Sequence, residues 1–414
     1  MQHTPPGYKQ TEVGVIPNEW EVCPVRQKGE VITGKALAVN APGPQRPYLR
    51  TKNVFDGRID IDDVLTMPMT DEQFAQFRIR NGDVLLNEGQ SLELVGRCAI
   101  YQDEYPEPCA IQNALLRFRA RPGVSEKFAT YLFRHCQQTG AFARIALQTT
   151  SVAHLGGLRF ERLCLPWPTE AEQRAIAGAL SDVDALLGAV DQLLAKKRDL
   201  KQATMQQLLT GQTRLPGFHG EWEVKKLGDV ATIKDGTHQT PKYVSSGVPF
   251  FSVEHVTSGD FKNTKFISEE EHRFLTRSFK IEKGDILMTR IGSIGDCKLI
   301  DWDVEASFYV SLALLKIHAG YSAAFICHYS KSAAFQKDVE LHSLGSAIPK
   351  KINLGPISDV QIKIPAEVAE QTAIAEVLTE MDAELAALEQ RRAKTRALKQ
   401  GMMQELLTGK TRLI

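Results

Sequence analysis

Residues 172–215 read EQRAIAGALSDVDALLGAVDQLLAKKRDLKQATMQQLLTGQTRL, and residues 370–413 read EQTAIAEVLTEMDAELAALEQRRAKTRALKQGMMQELLTGKTRL. The two stretches align without a gap over 44 positions at an offset of 198, and 26 of these positions are identical. Self-similarity at a fixed spacing indicates a repeated structural unit. The 414 residues are therefore organised as about 200 residues used twice, not as several unrelated domains.

Each copy has the apolar spacing of a long helix, because its apolar residues recur in alternating steps of four and three, as in a coiled-coil seam. Pro168 and Pro365 precede the copies, and Gly211 and Gly409 stand where a helix end belongs. We predict one helix of about 40 residues in each copy, about 55–60 Å long. The predicted seam residues are Ile176, Leu180, Val183, Leu187, Ile374, Leu378, Met381 and Leu385.

The charges along both stretches predict how the two helices pair. Acidic residues gather in the first half of each copy and basic residues in the second half, an order that suits the helix dipole. Antiparallel pairing sets acid against base, whereas parallel pairing sets like against like. We predict an antiparallel coiled coil; the alternative is that the charges are solvated faces of unpaired helices.

The segments in front of the two copies repeat more faintly, at an offset of 202: Glu19-Trp20-Glu21-Val22 returns as Glu221-Trp222-Glu223-Val224. We predict strands at 82–89, 114–119, 162–168, 284–290, 311–317 and 360–365, with one helix at 125–146 and one at 322–340. Each segment is then a mixed α/β globule. The fold class is α+β with an internal two-fold repeat, and the predicted divisions are 1–167, 168–213, 214–365 and 366–414.

The amino-acid composition limits the classes of function that the chain can have. The chain is 43% hydrophobic and 24% charged, as in ordinary globular proteins, and its 50 basic and 50 acidic residues cancel. This balance argues against coating nucleic acid by bulk charge, although it leaves room for local basic patches. We find neither a signal peptide nor a membrane span in the sequence, and seven scattered cysteines suit a reducing compartment, so we expect a cytoplasmic location and no membrane association.

Motifs for catalysis or metal binding are missing from the sequence. Residues 409–411 read GKT, but the glycine that a phosphate-binding loop needs five residues before Gly409 is absent. We also find no C-x-x-C, no H-E-x-x-H and no G-x-S-x-G. Together these absences favour a binding protein over an enzyme, with no cofactor or metal in this chain.

Several polar loops suit contacts with DNA, since Arg can read guanine, Asn can read adenine and Lys can hold phosphate. For each single residue, the alternative is a solvated loop charge. The candidate DNA-binding residues in the first half are Arg46, Tyr48, Arg50, Lys52, Asn53, Thr149, Ser151 and His154. Those in the second half are Lys234, His238, Lys242, Arg290, Ser293, Lys350, Lys351 and Asn353.

The sequence resembles the DNA-specificity subunits of type I restriction-modification systems over essentially its whole length. The similarity is carried by YKQTEVGVIPNEW at 8–20, GDVLL at 82–86, GDILM at 284–288, IGSIG at 291–295 and TTSVAHL at 149–155, and by the starts and ends of the two long stretches. One departure from the family pattern is EGQSLELVG at 88–96, which is longer and more acidic than the turn containing IGSIG.

The resemblance implies a non-catalytic subunit with two target recognition domains, each reading one half of an asymmetric, bipartite target in double-stranded DNA. The long helices would form an antiparallel coiled coil whose length sets the spacer. Two methylation subunits and the restriction subunits would be the partners, and S-adenosylmethionine, ATP and Mg²⁺ would bind to those other chains.

Two alternatives remain open. The same fold can serve a combined restriction and methylation system that cuts on both sides of its site. A coiled-coil adaptor without a role on DNA is the third hypothesis, and it predicts no binding to duplex DNA.

Overall fold

The computed structural model describes residues 4–149, 151–345 and 347–413. The chain forms two compact units: unit 1 contains residues 1–191 and 390–414, and unit 2 contains residues 192–389. This grouping follows compactness and differs from the four segments predicted from the repeat, because each unit takes part of both long stretches. The division into four segments, which was inferred from the repeat, remains a prediction.

Unit 1 is built mainly from short antiparallel strands. Its strands are β1 (Tyr8–Thr11), β2 (Gly14–Pro17), β3 (Glu21–Pro24), β4 (Gly29–Thr33), β5 (Gln45–Leu49), β6 (Val54–Phe55), β7 (Arg58–Ile59), β8 (Leu65–Pro68), β9 (Val84–Asn87), β10 (Gly89–Gln90), β11 (Cys98–Ile100), β12 (Ala110–Ile111), β13 (Leu115–Ala120), β14 (Leu147–Gln148), β15 (Ala153–His154) and β16 (Cys164–Trp167). Its helices are α1 (Val25–Lys28), α2 (Asp71–Phe77), α3 (Glu126–Gln138), α4 (Ala141–Ile145), α5 (Gly157–Arg162) and the beginning of α6 (Glu170–Leu208).

Unit 2 follows the same plan. Its strands are β17 (Trp222–Lys226), β18 (Ala231–Asp235), β19 (Tyr243–Val244), β20 (Val248–Phe251), β21 (Lys265–Ile267), β22 (Ile286–Thr289), β23 (Cys297–Leu299), β24 (Ser307–Phe308), β25 (Leu312–Ile317) and β26 (Gln361–Pro365). Its helices are α7 (Leu227–Val230), α8 (Val253–Ser258), α9 (Glu269–Leu275), α10 (Ala323–Tyr329), α11 (Ala333–Leu341), α12 (Leu354–Asp359) and the beginning of α13 (Val368–Leu406).

The main sheets of the two units match strand by strand, and so do three strands of a second sheet. The main sheet has the order β11-β9-β13-β4 in unit 1 and β23-β22-β25-β18 in unit 2, and all its neighbours are antiparallel. A second sheet joins β12, β5 and β8 in unit 1 as it joins β24, β20 and β21 in unit 2, with one parallel pair in each. The faint repeat in the sequence is therefore a repeat of these two sheets in the structure, and the α+β fold class is confirmed.

All six predicted strands form, but each predicted helix between them is two helices. In unit 1 the break falls at Gly140, whose φ of 73° is the left-handed conformation that ends α3. In unit 2 it falls at Ser332, whose hydroxyl accepts the N–H of Phe335 and so begins α11.

The two long helices form as predicted. The first spans Glu170–Leu208 and the second Val368–Leu406, 39 residues each. Gly211 and Gly409 follow them in the left-handed conformation, with φ of 72° and 73°. An apolar stripe and few helix breakers explain their length.

Buried polar residues fix the start of each long helix in the same way. In unit 1 the Gln173 side chain accepts the backbone N–H of Ser125 (3.0 Å) and donates to a proline carbonyl (2.9 Å). In unit 2 the Gln371 side chain accepts the N–H of Ser322 (2.8 Å) and donates to a proline carbonyl (2.8 Å). These glutamines tie each long helix to the start of a helix in its own domain.

A buried glutamate precedes each of these glutamines and binds an arginine through both carboxylate oxygens. Arg412 donates to Glu172, and Arg214 donates to Glu370. The glutamates are only 4% and 1% exposed, so each needs its cationic partner.

The indole rings beside these glutamates differ between the units. In unit 1, Trp20 is fully buried and donates its indole N–H to Glu172 (2.9 Å). Trp222 occupies the equivalent place in unit 2, where Arg214 lies over its ring at 5.9 Å and its buried N–H has no partner among the described residues. Glu370 is consequently bound by the arginine alone within the described part of the chain.

The helices run antiparallel in unit 1. Lys399 bonds to Asp184 (2.6 Å) and Arg392 to Asp191 (2.6 Å), so seven residues forward along α6 correspond to seven residues back along α13. Tyr131 also donates to Asp184 (2.8 Å). Burial lowers the pKa of Lys399 despite its bond to Asp184.

Unit 2 repeats this antiparallel pairing, with Lys201 bonded to Asp382 and Lys197 to Glu384 (2.8 Å). Burial alone would raise the pKa of Asp382, but the hydrogen bond from Lys201 and other nearby cations hold it below its usual range. The predicted antiparallel pairing is therefore confirmed within each unit.

His328 in unit 2 occupies the position of Tyr131. Its Nε2 lies 2.9 Å from the hydroxyl of Thr379, and burial, reinforced by the charge of Lys331, lowers the pKa of His328 to about 4. The same charged cluster thus contains a phenol in one unit and an imidazole in the other.

The predicted seam is partly a domain core. Ile176 and Leu180 are fully buried among the aromatic residues of unit 1, and Ile374 and Leu378 are fully buried in the core of unit 2. The opposite helix contributes its last turns to each core, as Met403 shows in unit 1. The other predicted seam residues are half-buried: Val183, Leu187, Met381 and Leu385.

Candidate nucleic-acid interface

Strand β5 and the turn after it present the first group of predicted DNA-binding residues. Arg46 bonds to Asp71 (2.9 Å) and lies over the ring of Phe74. Arg50 and Lys52 share one carboxylate, Asp63, at 2.6 and 3.0 Å. These three cations are partly or largely exposed, and each is already paired.

Asp63 neutralises part of this basic group. The hydrogen bond from Lys52, together with the charge of Arg50, lowers the pKa of Asp63 below its usual range. A phosphate would compete with this carboxylate for the same two cations. The sequence signal that could have predicted the pairing is the acidic run at 56–63, close behind the basic run at 46–52.

Tyr48 and Asn53 are corrections to the predicted interface. Tyr48 is 9% exposed and belongs to the core between two sheets of unit 1. Asn53 is 1% exposed, and its amide donates to the carbonyls of Asp60 (2.9 Å) and Asp63 (3.1 Å). Both side chains pack inside unit 1, and burial leaves them little surface with which to contact a base.

The hairpin of β14 and β15 carries Thr149, Ser151 and His154. The first two are exposed, and His154 is half-buried. β15 pairs with β10, which places the hairpin beside the turn that follows β9. Thr150, also in this polar loop, lies outside the described residues, as does Ser346 in the corresponding loop of unit 2.

Glu88 holds this hairpin in place. Its carboxylate lies 3.1 Å from Nδ1 of His154 and accepts the backbone N–H of Gly156 at 3.2 Å, while its carbonyl accepts the N–H of Leu155 at 2.8 Å. The longer turn at 88–96 thus has a structural role, because it includes the short strand β10. Glu88 was not among the predicted site residues.

Arg290 is the third correction. It was predicted to contact DNA, but it is 3% exposed and donates to the carbonyl of Ile352 (3.2 Å) and to Asp235. Asp235 also lies 2.8 Å from Nε2 of the exposed His238. The guanidinium therefore joins two loops inside unit 2.

The structure brings three predicted segments of unit 2 together. The N–H of Gly292 bonds to the carbonyl of Lys350 (2.9 Å), and Ile291 forms an isolated bridge with Lys351. Asp235 ties the segment from 234 to 242 to the same place through Arg290. Loop composition identified the segments, but it could not reveal Asp235, whose role depends on a partner 55 residues away.

Around this junction, the remaining predicted residues of unit 2 lie partly or fully at the surface. Lys350 pairs with Glu340, and Lys234 lies over the ring of Phe279 at 5.8 Å. The exposed ones are His238, Lys242, Ser293, Lys350 and Asn353, and the half-buried ones are Lys234 and Lys351.

Neither a metal site nor a membrane span stands out in the part of the chain that the structure describes. No three His, Cys, Asp or Glu side chains among residues 4–149, 151–345 and 347–413 are grouped to hold a metal ion. Within the same residues, no helix is both long and apolar enough to cross a membrane.

Comparisons with known proteins agree with this architecture. The model of the type I restriction modification DNA specificity domain matches residues 219–396. The putative type I restriction enzyme MjaX specificity subunit of Methanocaldococcus jannaschii is 26% identical over 422 residues, covering 98% of this chain and 97% of that protein. The MjaVIII specificity subunit of the same organism is 23% identical and covers 96% of this chain and 94% of its own.

Among solved structures, the type I restriction-modification S subunit from M. genitalium superposes with a TM-score of 0.59 at 17% identity, covering 94% of this chain and 96% of that one. At this identity the likeness concerns the fold. Together with the matches in sequence, it shows that the chain is similar to type I restriction-modification DNA specificity subunits over nearly its whole length.

Proposed function

We propose that this chain gives a type I restriction-modification complex its DNA sequence specificity, with one half of a bipartite, asymmetric target read by each unit. The observation that carries the proposal is the contrast between scaffold and loops. Equivalent residues fix the long helices in both units, whereas the loops at the equivalent edges of the sheets differ in length, charge and partners. A shared frame with different loops suits two unrelated half-sites.

The charge distribution supports recognition over bulk attraction. Net charge is zero, and two exposed cations of the candidate loops are paired with carboxylates, Lys52 with Asp63 and Lys350 with Glu340. Binding of phosphate must displace these carboxylates, which weakens attachment to arbitrary DNA. Partner subunits would then supply much of the general affinity for the backbone.

The nearly identical long helices suggest that the chain binds the same partner twice. We propose two methylation subunits, with restriction subunits added to them, and we propose that S-adenosylmethionine, ATP and Mg²⁺ bind on those chains. The present chain would be non-catalytic and would act on DNA inside the cell.

Exchange of residues 216–369 for the corresponding segment of a relative tests whether each unit reads its half-site independently of the other. The exchanged chain, assembled with methylation subunits, should methylate a sequence with one new half and one unchanged half. Sequencing of methylated bases in a random duplex library gives the result. A change in both halves would contradict the assignment of one half-site to each unit.

Insertion of four residues into both long helices tests whether helix length sets the spacer. One added turn, about 6 Å at 1.5 Å per residue, should lengthen the preferred spacer and leave the bases read unchanged. Four-residue insertions in the surface loop at 217–220 serve as the control. An unchanged spacer would contradict the role of helix length.

A gel-shift assay with the assembled complex separates these roles from a coiled-coil adaptor. A specificity subunit retards a duplex that contains the selected sequence more strongly than a scrambled one. Migration of both duplexes at the position of free DNA would favour the adaptor.

A further inference from the structure

The two units hold their polar loops at one equivalent position, with side chains of opposite charge. Glu88 directly follows β9, and Arg290 directly follows the matching strand β22, 202 residues later. In each case the residue's own carbonyl accepts a backbone N–H from the loop, of Leu155 at 2.8 Å and of Ile352 at 3.0 Å. Leu155 and Ile352 are fully buried, so both loops are anchored at the same point of the fold.

The side chains complete this anchor with complementary chemistry. A carboxylate can only accept hydrogen bonds, and Glu88 accepts the N–H of Gly156 while facing the imidazole of His154. A guanidinium can only donate, and Arg290 donates to the carbonyl of Ile352 and to Asp235. The loop therefore presents donors to the anchor in unit 1, and in unit 2 it presents an acceptor.

Both anchors are sheltered, and both lead to exposed polar groups. The side chain of Glu88 is 15% exposed, and that of Arg290 is 4% exposed. Beyond them stand exposed side chains that could reach DNA, Ser151 in unit 1 and His238 in unit 2. His238 lies 2.8 Å from Asp235, so the anchor in unit 2 also fixes an exposed ring.

We propose that Glu88 and Arg290 are positioning residues that determine which bases each unit accepts. They do so through the loops that they hold and without touching DNA. A shift of a loop by about 1 Å is enough to spoil a hydrogen bond to a base edge, whereas contacts with phosphates tolerate it better. This inference rests on the proposed function and extends it to named residues.

The test uses the full chain assembled with its methylation subunits, and a random duplex library as the probe. Sequences bound or methylated by the wild type define the two half-sites, and single-base variants of the selected site then measure discrimination. Glu88→Ala removes the anchor in unit 1, and Glu88→Gln keeps an acceptor without the charge. In unit 2, Arg290→Lys keeps the charge, and Arg290→Met with Asp235→Asn removes both charges together.

Glu88→Ala should lower discrimination roughly tenfold or more at one or more bases of one half-site, with the other half-site unchanged. The double substitution in unit 2 should do the same at the opposite half-site. Glu88→Gln and Arg290→Lys should have smaller effects at the same bases. Matched controls are Glu107→Gln and Arg273→Met, at exposed positions of the same units, which should change neither half-site.

A role limited to stability predicts a different result. It lowers the melting temperature or the amount of complex, and the base preference of the complex that remains is unchanged. The inference is overturned if folded variants keep the wild-type preference at both half-sites, or if one substitution alters both. If the wild type itself selects no bipartite sequence, the proposed function fails instead, so the two failures are distinguishable.

Discussion

Glu172 of unit 1 and Glu370 of unit 2 lie at equivalent positions near the starts of the two long helices, and each accepts hydrogen bonds from an arginine. Glu88 and Arg290 also occupy equivalent positions in their two units, yet their charges are opposite. The helix starts keep the same arginine partner in both units, while the loop anchors have exchanged an acceptor for a donor. A position of the shared framework can change from an acidic to a basic side chain only where the group that it binds changes as well.

Removal of the arginine partners should give the largest effect and tests the first half of this comparison. Arg214→Ala leaves Glu370 buried without a partner among the described residues, which should cost about 3–5 kcal/mol of unfolding free energy in unit 2. Arg412→Ala should cost less, because Trp20 still donates to Glu172. Urea unfolding measures both.

Arg214→Lys serves as the control, since it keeps a cation and should recover part of the loss. Equal losses for Arg214→Ala and Arg412→Ala would contradict the unequal support that the two glutamates receive.

Acidification should distinguish the two charged clusters. In the folded unit 2 the pKa of His328 is about 4, below an unfolded value of about 6.5, so the unfolded chain binds more protons between these limits. The unfolding free energy should therefore fall as the pH drops from about 6.5 to about 4, by on the order of 2–3 kcal/mol.

His328→Tyr copies Tyr131 of unit 1 and should remove this dependence on pH. Thermal melts of the wild type and the variant at several pH values provide the measurement. Both proteins contain the same carboxylates, so a difference between their pH dependences reports on residue 328. Parallel curves for the two proteins would show that His328 is not the titrating group.

The tryptophans sharpen the same comparison at a smaller scale. Trp20 donates to a carboxylate, whereas the N–H of Trp222 has no acceptor among the residues that the structure describes. Trp20→Phe should therefore destabilise its unit by about 1–2 kcal/mol more than Trp222→Phe destabilises the other. Both substitutions remove similar volume, which makes each the control for the other. Equal losses would mean that packing outweighs the hydrogen bond.

The smallest effect is expected on the outer faces of the long helices. Arg198 pairs with Glu389 in unit 2, and both side chains are more than half exposed. Arg198→Ala should cost no more than about 0.5 kcal/mol, since solvent screens such pairs. A larger loss in urea unfolding would give this surface pair a role that its exposure does not suggest.

The sequence predicted the long helices, their direction and the repeat, because periodicity and charge order are local properties of the chain. It failed for Tyr48, Asn53 and Arg290, whose residue types suit DNA but whose side chains point into the fold. It missed Glu88 and Asp235 because their partners lie 66 and 55 residues away. Loop composition tells which groups are available, and only the tertiary structure decides which of them remain free.

The division of the chain between the units also bears on its synthesis. Arg412 and Met403 complete the bonds and the core of unit 1, and they are translated after every residue of unit 2. Unit 2 is one continuous run of sequence, so it can close first although it comes later in the chain. During synthesis, the core of unit 1 around Ile176 and Leu180 would thus stay incomplete until the last turns of α13 leave the ribosome.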